Sequence, residues 1–265
     1  MLIRNSTGRR LIWAVFALVL GVLVISPIAV TAITAFAQTW NSALPSGLTT
    51  EHMSGTLTES NLQSILVSIQ TALVASALAV AVGTWAALAA RSAPPRLRAL
   101  IDAAFHVPVA VPSVVIGLAV LIAFSRSPVI LNGTPWIVIL VQALLVLSFA
   151  FSMVSAAAKG LDPALDQVAG SLGASGRPTL VTVTLPLLTP AIAAAAGLSV
   201  ALCMGELGAT IMVYPAAWRT LPVTVFTQSD RGDLFGAAAN TLLLVLVTVA
   251  ILGVLSRFRS RAQVR

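Results

Sequence analysis

Charge is scarce in this chain: Asp, Glu, Lys and Arg make up 9% of its 265 residues, where an ordinary soluble domain carries about 25%. So few charged groups cannot cover a surface in water, which excludes a soluble enzyme. Cysteine is scarcer. Cys203 stands alone inside an apolar run, so neither a disulfide framework nor a cysteine metal cage is available. The histidines, His52 and His106, lie far apart without metal-ligating companions, and neither a metal site nor a catalytic residue is expected. Lysine occurs once, as Lys159 between Ala158 and Gly160. A nucleotide-binding P-loop needs GxxxxGK followed by Ser or Thr. The evenly spaced Gly170, Gly173 and Gly176 therefore cradle no phosphate, and no cofactor is expected in this chain.

What is there is apolar. Hydrophobic residues make up 58% and the mean hydropathy is +1.00, so the bilayer is the solvent and about 20 residues per helix is the unit of counting. Runs at 11–37, 62–90, 103–124, 136–158, 188–213 and 236–256 predict an all-α polytopic membrane protein with six transmembrane helices, forming one domain over 1–265. The first run is too long for a secretory signal and reads as a retained helix. A net charge of +7 suggests nucleic acid in a soluble protein, but here the basic residues sit in clusters between apolar runs, where they report topology. With the N-terminus inside, Arg4, Arg9, Arg10, Arg91, Arg96, Arg98, Lys159, Arg177, Arg257, Arg259, Arg261 and Arg265 are cytoplasmic, and only Arg126, Arg219 and Arg231 are outside. Both termini are then cytoplasmic. The polar segment from Gln38 to Asn61 becomes an outside loop.

The longest inside segment runs from Lys159 to about Leu187. Asp162 followed by Pro163 is a helix start, because an Asp oxygen caps orphan amides and proline suits the first position. Gly173 is a stop. Between them Leu161, Leu165, Val168, Ala169 and Leu172 fall on one helical face, with Asp162 and Asp166 near the positive end of the dipole. Such a helix packs on the bundle, lies on the headgroups, or enters a groove of a separate cytoplasmic protein. It lacks the Lys and Arg face of a headgroup-bound helix.

Glu206 is the one carboxylate clearly at depth, flanked by Gly205 and Gly208 in GELGATIMVYP. A carboxylate at mid-bilayer costs about 2.5–3.5 kcal/mol on insertion scales, so it faces a polar pathway or is held by hydrogen bonds to its neighbours. Glycines beside it allow close helix approach or a local break. Candidate pathway or gate residues are Glu206, Gly205, Gly208, Thr210, Tyr214 and Ser113, although Ser113 and Thr210 also suit bonds to carbonyls of their own helices. Asp102 reads as a cap of the third helix, and Arg231 as ion-paired to Asp230 and Asp233. Leu221 to Phe226 is apolar enough to tuck inward as a gate-lining element, or to form an ordinary re-entrant turn. Pro108 and Pro112 would kink the third span. An intramembrane protease would need a Ser and His or a second carboxylate at depth. A transporter driven by an ion gradient stays open.

Residues Gln167 to Pro186 resemble the cytoplasmic signature of type I ATP-binding-cassette importer permeases: EAA, three residues, Gly, nine residues, Ile, one residue, Leu-Pro. Gln167, Val168 and Ala169 occupy the EAA positions, Gly173 the glycine, Val183 the isoleucine, and Leu185 with Pro186 the final pair. Glutamate has become Gln167, and the neighbouring Asp166 could supply an ionic contact instead. GELGAT, VYPAAW, TLPV and DRGD resemble the 2-aminoethylphosphonate importer branch, and the core Glu206–Thr210 is also similar to sulfate, thiosulfate and molybdate permeases. The resemblance implies a multi-pass subunit of the bacterial inner membrane, with Asp162, Leu165, Asp166, Gln167, Val168, Ala169, Leu172, Gly173 and Ala174 forming a coupling helix. It further implies a partner ATPase dimer that binds ATP and magnesium, a second and homologous permease subunit, and an external substrate-binding protein.

Overall fold

A computed structural model of the chain describes residues 6–262 apart from 43 and 163, and leaves the side chains of 6, 7, 166 and 258–262 undescribed. Pro163, the side chains of Asp166, Arg259 and Arg261, and all of Arg4 and Arg265 therefore lie outside the described residues. The fold is helical, in the order α1 (Ser6–Phe36), a short hairpin of β1 (Ala37–Thr39) and β2 (Ser46–Leu48), α2 (Glu51–Gly55), α3 (Glu59–Ser92), α4 (Pro95–Ala110), α5 (Ser113–Ala123), α6 (Pro135–Lys159), α7 (Ala164–Ser171), α8 (Gly176–Thr179), a π-helical turn (Leu180–Thr184), α9 (Leu185–Met204), α10 (Thr210–Val213), α11 (Leu221–Asp230) and α12 (Leu234–Ala262). Five stretches are long and apolar enough to cross a bilayer: Gly8–Phe36, Glu59–Ser92, Pro135–Lys159, Gly176–Met204 and Leu234–Arg257. A sixth is counted if α4 and α5, bent by 105°, act as one span.

The described residues form two compact units. One holds the residues up to Leu62 together with Thr224–Val245. Its small core is Ala35, Ala238 and Ala239, with Phe36 and Met53 packed against them. His52 stacks on Phe235 at 5.1 Å. Asp233 Oδ1 accepts from Gly236 N at 2.9 Å, so a carboxylate expected to pair with Arg231 caps α12 instead.

The other unit holds Gln63–Val223 and the residues from Leu246 onward. The buried face of α3 is built from small residues, among them Ser68, Ala72, Ala75, Ser76, Ala79 and Ala87, which lets backbones approach closely where lipid provides no hydrophobic drive. Gly83 is the extreme case: a Cβ there would lie 2.9 Å from Phe151 N and 3.2 Å from Ala150 C on α6. Phe151, Val154 and Leu188 fill the adjoining core of α3, α6 and α9.

The third span departs from the expected single helix over 103–124. α4 starts at Pro95, where proline occupies the first helical turn, and polar Arg96, Arg98 and Asp102 hid that start from hydropathy. Pro108 stays inside α4, but Val111 is extended at φ −107°, ψ 134°. The cause is Pro112, whose ring drives the preceding residue out of the α region. Asp102 is mid-helix and caps nothing; its Oδ2 lies 3.6 Å from Lys159 Nζ. Arg98 folds back to finish α3, donating from Nε to Ala90 O at 2.9 Å and from Nη2 to Arg91 O at 3.1 Å and Ala93 O at 3.3 Å. A cation on the last carbonyls of a helix also opposes its dipole.

Helix five begins earlier than expected and shortens the inside loop. Gly176–Met204 is continuous, because Pro178 falls in the first turn, where no intrahelical N–H is needed. Pro186 is accommodated by the π turn just before it. A proline ring clashes with the carbonyl four residues back, here Thr182, within the widened turn.

Candidate functional site

Two places in the second unit carry the residues singled out from the sequence. The first is the break after α9. The helix ends at Met204 rather than running to 213, and Gly205–Ala209 forms an irregular turn before α10. Glu206 closes it. Its Oε1 accepts from Ala209 N at 2.7 Å, its Oε2 from Thr210 N at 2.9 Å and also from Thr210 Oγ1. Three donors on one carboxyl group fix the turn. Thr210 therefore bonds Glu206 and not the carbonyl of its own helix.

The turn is held from two sides. Gln142 on α6, only 1% exposed, donates from Nε2 to Thr210 Oγ1 at 3.0 Å. Gly117 on α5 lies so close that a Cβ would stand 2.7 Å from Ala209 O and 2.8 Å from Ala209 Cα. Ser113, at the first turn of α5, has its Oγ against Gly208, where any Cβ would collide with it. Ser113, Glu206, Gly208 and Thr210 are thus brought together, while Gly205 is exposed. Tyr214 and Trp218 pack on the adjoining core of Val120, Ile137, Val141 and Val213, and Trp218 Nε1 donates to Thr71 Oγ1 at 2.9 Å. Leu221 to Phe226 lies in helix α11 rather than in a turn, with Leu221 N donating to Ser68 Oγ at 2.7 Å. Gln142 was missed by sequence reading. A lone glutamine in an apolar run was its only signal, and its Oε1 is buried with no hydrogen-bond partner.

The second place is α7. Ala164 N donates to Asp162 Oδ1 at 2.8 Å, the cap expected from the sequence. At the other end Gly173 has φ +83°, with Gly173 N donating to Gly170 O at 3.0 Å and Ala174 N to Ala169 O at 3.0 Å. That is a Schellman ending, which needs a residue free to adopt left-handed φ. Of the apolar stripe, Ala169 is buried and Leu161 packs on the core, but Leu165, Val168 and Leu172 are 37%, 56% and 82% exposed.

The model of the family described as binding-protein-dependent transport system inner membrane component matches residues 80–263. The chain belongs to this family. The putative 2-aminoethylphosphonate transport system permease protein PhnV of Salmonella paratyphi A is 40% identical over 261 residues, 98% of each chain. The molybdenum transport system permease protein ModB of Escherichia coli is 30% identical over 216 residues, 75% of this chain and 93% of ModB. A crystal structure of a bacterial ABC transporter involved in the import of the acidic polysaccharide alginate matches with a TM-score of 0.77 at 15% identity, covering 96% of each chain. At that identity the likeness is one of fold. The chain is thus a multi-pass permease subunit of an ABC importer in the bacterial inner membrane, a membrane component that catalyses no reaction.

Proposed function

We propose that this chain is the transmembrane pathway subunit of an ATP-driven importer for 2-aminoethylphosphonate or a related phosphonate. The supporting observation is the 40% identity to PhnV across 98% of both chains. Both termini face the cytoplasm, and an external binding protein delivers the substrate. A second, homologous permease subunit completes the pathway. ATP and magnesium belong to a partner ATPase dimer, whose closure drives alternating access.

In this reading α7 is the coupling helix. Leu165, Val168 and Leu172 seat in the ATPase groove, with Asp162, Asp166, Gln167, Ala169, Gly173 and Ala174 shaping and flanking that contact. The Schellman ending lets α7 move as a rigid piece. Ser113, Gly205, Glu206, Gly208, Thr210 and Tyr214 border the pathway at the break, where Glu206 acts as a fixed carboxylate that keeps the turn in shape. The likeness to ModB favours a second reading, import of molybdate or a related oxyanion such as sulfate or thiosulfate.

The test is uptake of labelled 2-aminoethylphosphonate, with sulfate and molybdate in parallel, in cells with and without the gene. Loss of phosphonate uptake alone, restored by the intact gene but not by a Gly173→Pro copy, is the expected result. Unchanged phosphonate uptake overturns the substrate reading, and loss of molybdate or sulfate uptake selects the second.

A further inference from the structure

Two arginines stand at one end of the second unit, Arg126 after α5 and Arg219 after α10, on the outer side in the orientation proposed above. Cations in short loops are disfavoured there, so a retained pair calls for a use. Both side chains are exposed, and neither has a hydrogen bond or ion pair among the described residues. No Asp or Glu occurs from 113 to 161 or from 207 to 229, and the Glu206 carboxyl is taken up by its own turn.

The loops that carry these arginines are pinned to the core. Leu131 N and Asn132 N both donate to Phe124 O, at 2.9 and 3.2 Å, and Thr134 Oγ1 donates to Leu131 O at 2.7 Å, so the turn holding Arg126 is closed at its base. Trp218 Nε1 donates to Thr71 Oγ1 at 2.9 Å and Leu221 N to Ser68 Oγ at 2.7 Å, which fixes the chain on both sides of Arg219. Phe124, Leu131 and Trp218 all pack on the cluster of Val120, Ile137, Val138 and Val213, so the two loops flank the same piece of core. Beside Arg126, Val129 and Ile130 are 51% and 60% exposed. A small anion makes no use of bare aliphatic side chains. Exposed arginines and aliphatic groups on a pre-organised backbone are the make-up of a protein contact.

We propose that Arg126 and Arg219, with Val129 and Ile130, form a docking surface for the external substrate-binding protein, and that the facing patch of that protein carries Asp or Glu side chains. Complementary charge of this kind speeds encounter and fixes the register of docking, which sets the partner's outlet over the pathway. The proposal rests on the importer reading and on the orientation given with it.

The experiment uses the whole importer, this chain with its ATPase and second permease subunit, in nanodiscs. The binding protein is the soluble one from the same cells that retains labelled 2-aminoethylphosphonate, molybdate or sulfate. ATP hydrolysis is measured against the concentration of that protein loaded with its solute. One exposed ion pair is worth about 1.4- to 5-fold, so Arg126→Gln with Arg219→Gln should raise the half-saturating concentration about 2- to 30-fold at an unchanged maximal rate. Added salt should weaken wild-type docking steeply and the glutamine pair much less, a signature that a purely structural role would not give. Arg126→Lys with Arg219→Lys should stay within about threefold of wild type, which separates lost docking from a misfolded chain. A glutamine pair that saturates as wild type does overturns the docking surface while leaving the importer reading intact. An unchanged half-saturating concentration with a lower maximal rate overturns it too, since the arginines would then act on the pathway. If no binding protein stimulates the wild-type importer, the importer reading itself fails and the docking surface falls with it.

Discussion

Alanine in place of a helical glycine ordinarily stabilises a helix by about 1 kcal/mol, and Gly117 should reverse that sign. A Cβ at 117 would stand 2.7 Å from Ala209 O, 2.8 Å from Ala209 Cα and 3.1 Å from Met212 Cβ. Carbon atoms pack best at about 3.5–4.0 Å, so α5 must retreat by about 0.7 Å from a backbone that cannot swing aside. Overpacking of this kind costs about 1–3 kcal/mol. Set against the propensity gain, Gly117→Ala should lose about 1 kcal/mol. Gly253 on α12 is the internal control, since nothing lies within 4 Å of its added Cβ, and Gly253→Ala should be neutral or stabilising by up to about 1 kcal/mol. The assay is denaturant unfolding of the purified protein followed by tryptophan fluorescence, for which Trp218 in the same packed cluster is a local reporter. Transport should fall with Gly117→Ala, because the retreat displaces Ser113 from Gly208. A Gly117→Ala protein as stable as Gly253→Ala would refute the close approach and the rigid frame built on it.

Leu172→Asp should abolish substrate uptake while leaving stability within about 0.5 kcal/mol, since the side chain is 82% exposed; unfolding curves and uptake measured together check it, and full uptake would sink the coupling role of α7. Thr210→Val should cost about 1–3 kcal/mol in a thermal or denaturant unfolding assay, because it strands Gln142 Nε2 and removes one donor from Glu206; wild-type stability would show that the network does not hold the turn.

Much of this was legible in the sequence because hydropathy is a bulk property and survives local detail. The apolar runs located the spans to within a few residues at α6, and Asp162 and Gly173 located both ends of α7 through capping chemistry alone. Proline was harder to read. Pro112 breaks its helix, whereas Pro108, Pro178 and Pro190 lie within helices. The difference is whether the carbonyl and amide displaced by the ring find another arrangement, which depends on neighbours distant in sequence. Likewise Glu206 announced itself by charge, but its partners did not, since two of its three bonds go to backbone and one to a hydroxyl. Gln142 and Gly117 were illegible for the same reason: each matters only because of what the fold puts opposite it.

The π turn at Leu180–Thr184 also bears on the history of the chain. A wide turn stores one residue more than an α turn at the same place, so the chain can gain or lose a single residue there without rotating the faces on either side. Relatives that differ by one residue in this stretch would still present α7 and the Glu206 break in the same relation. Alignments of such chains should allow their gap at Leu180–Thr184, and not in the loop before Gly176 where composition alone would place it.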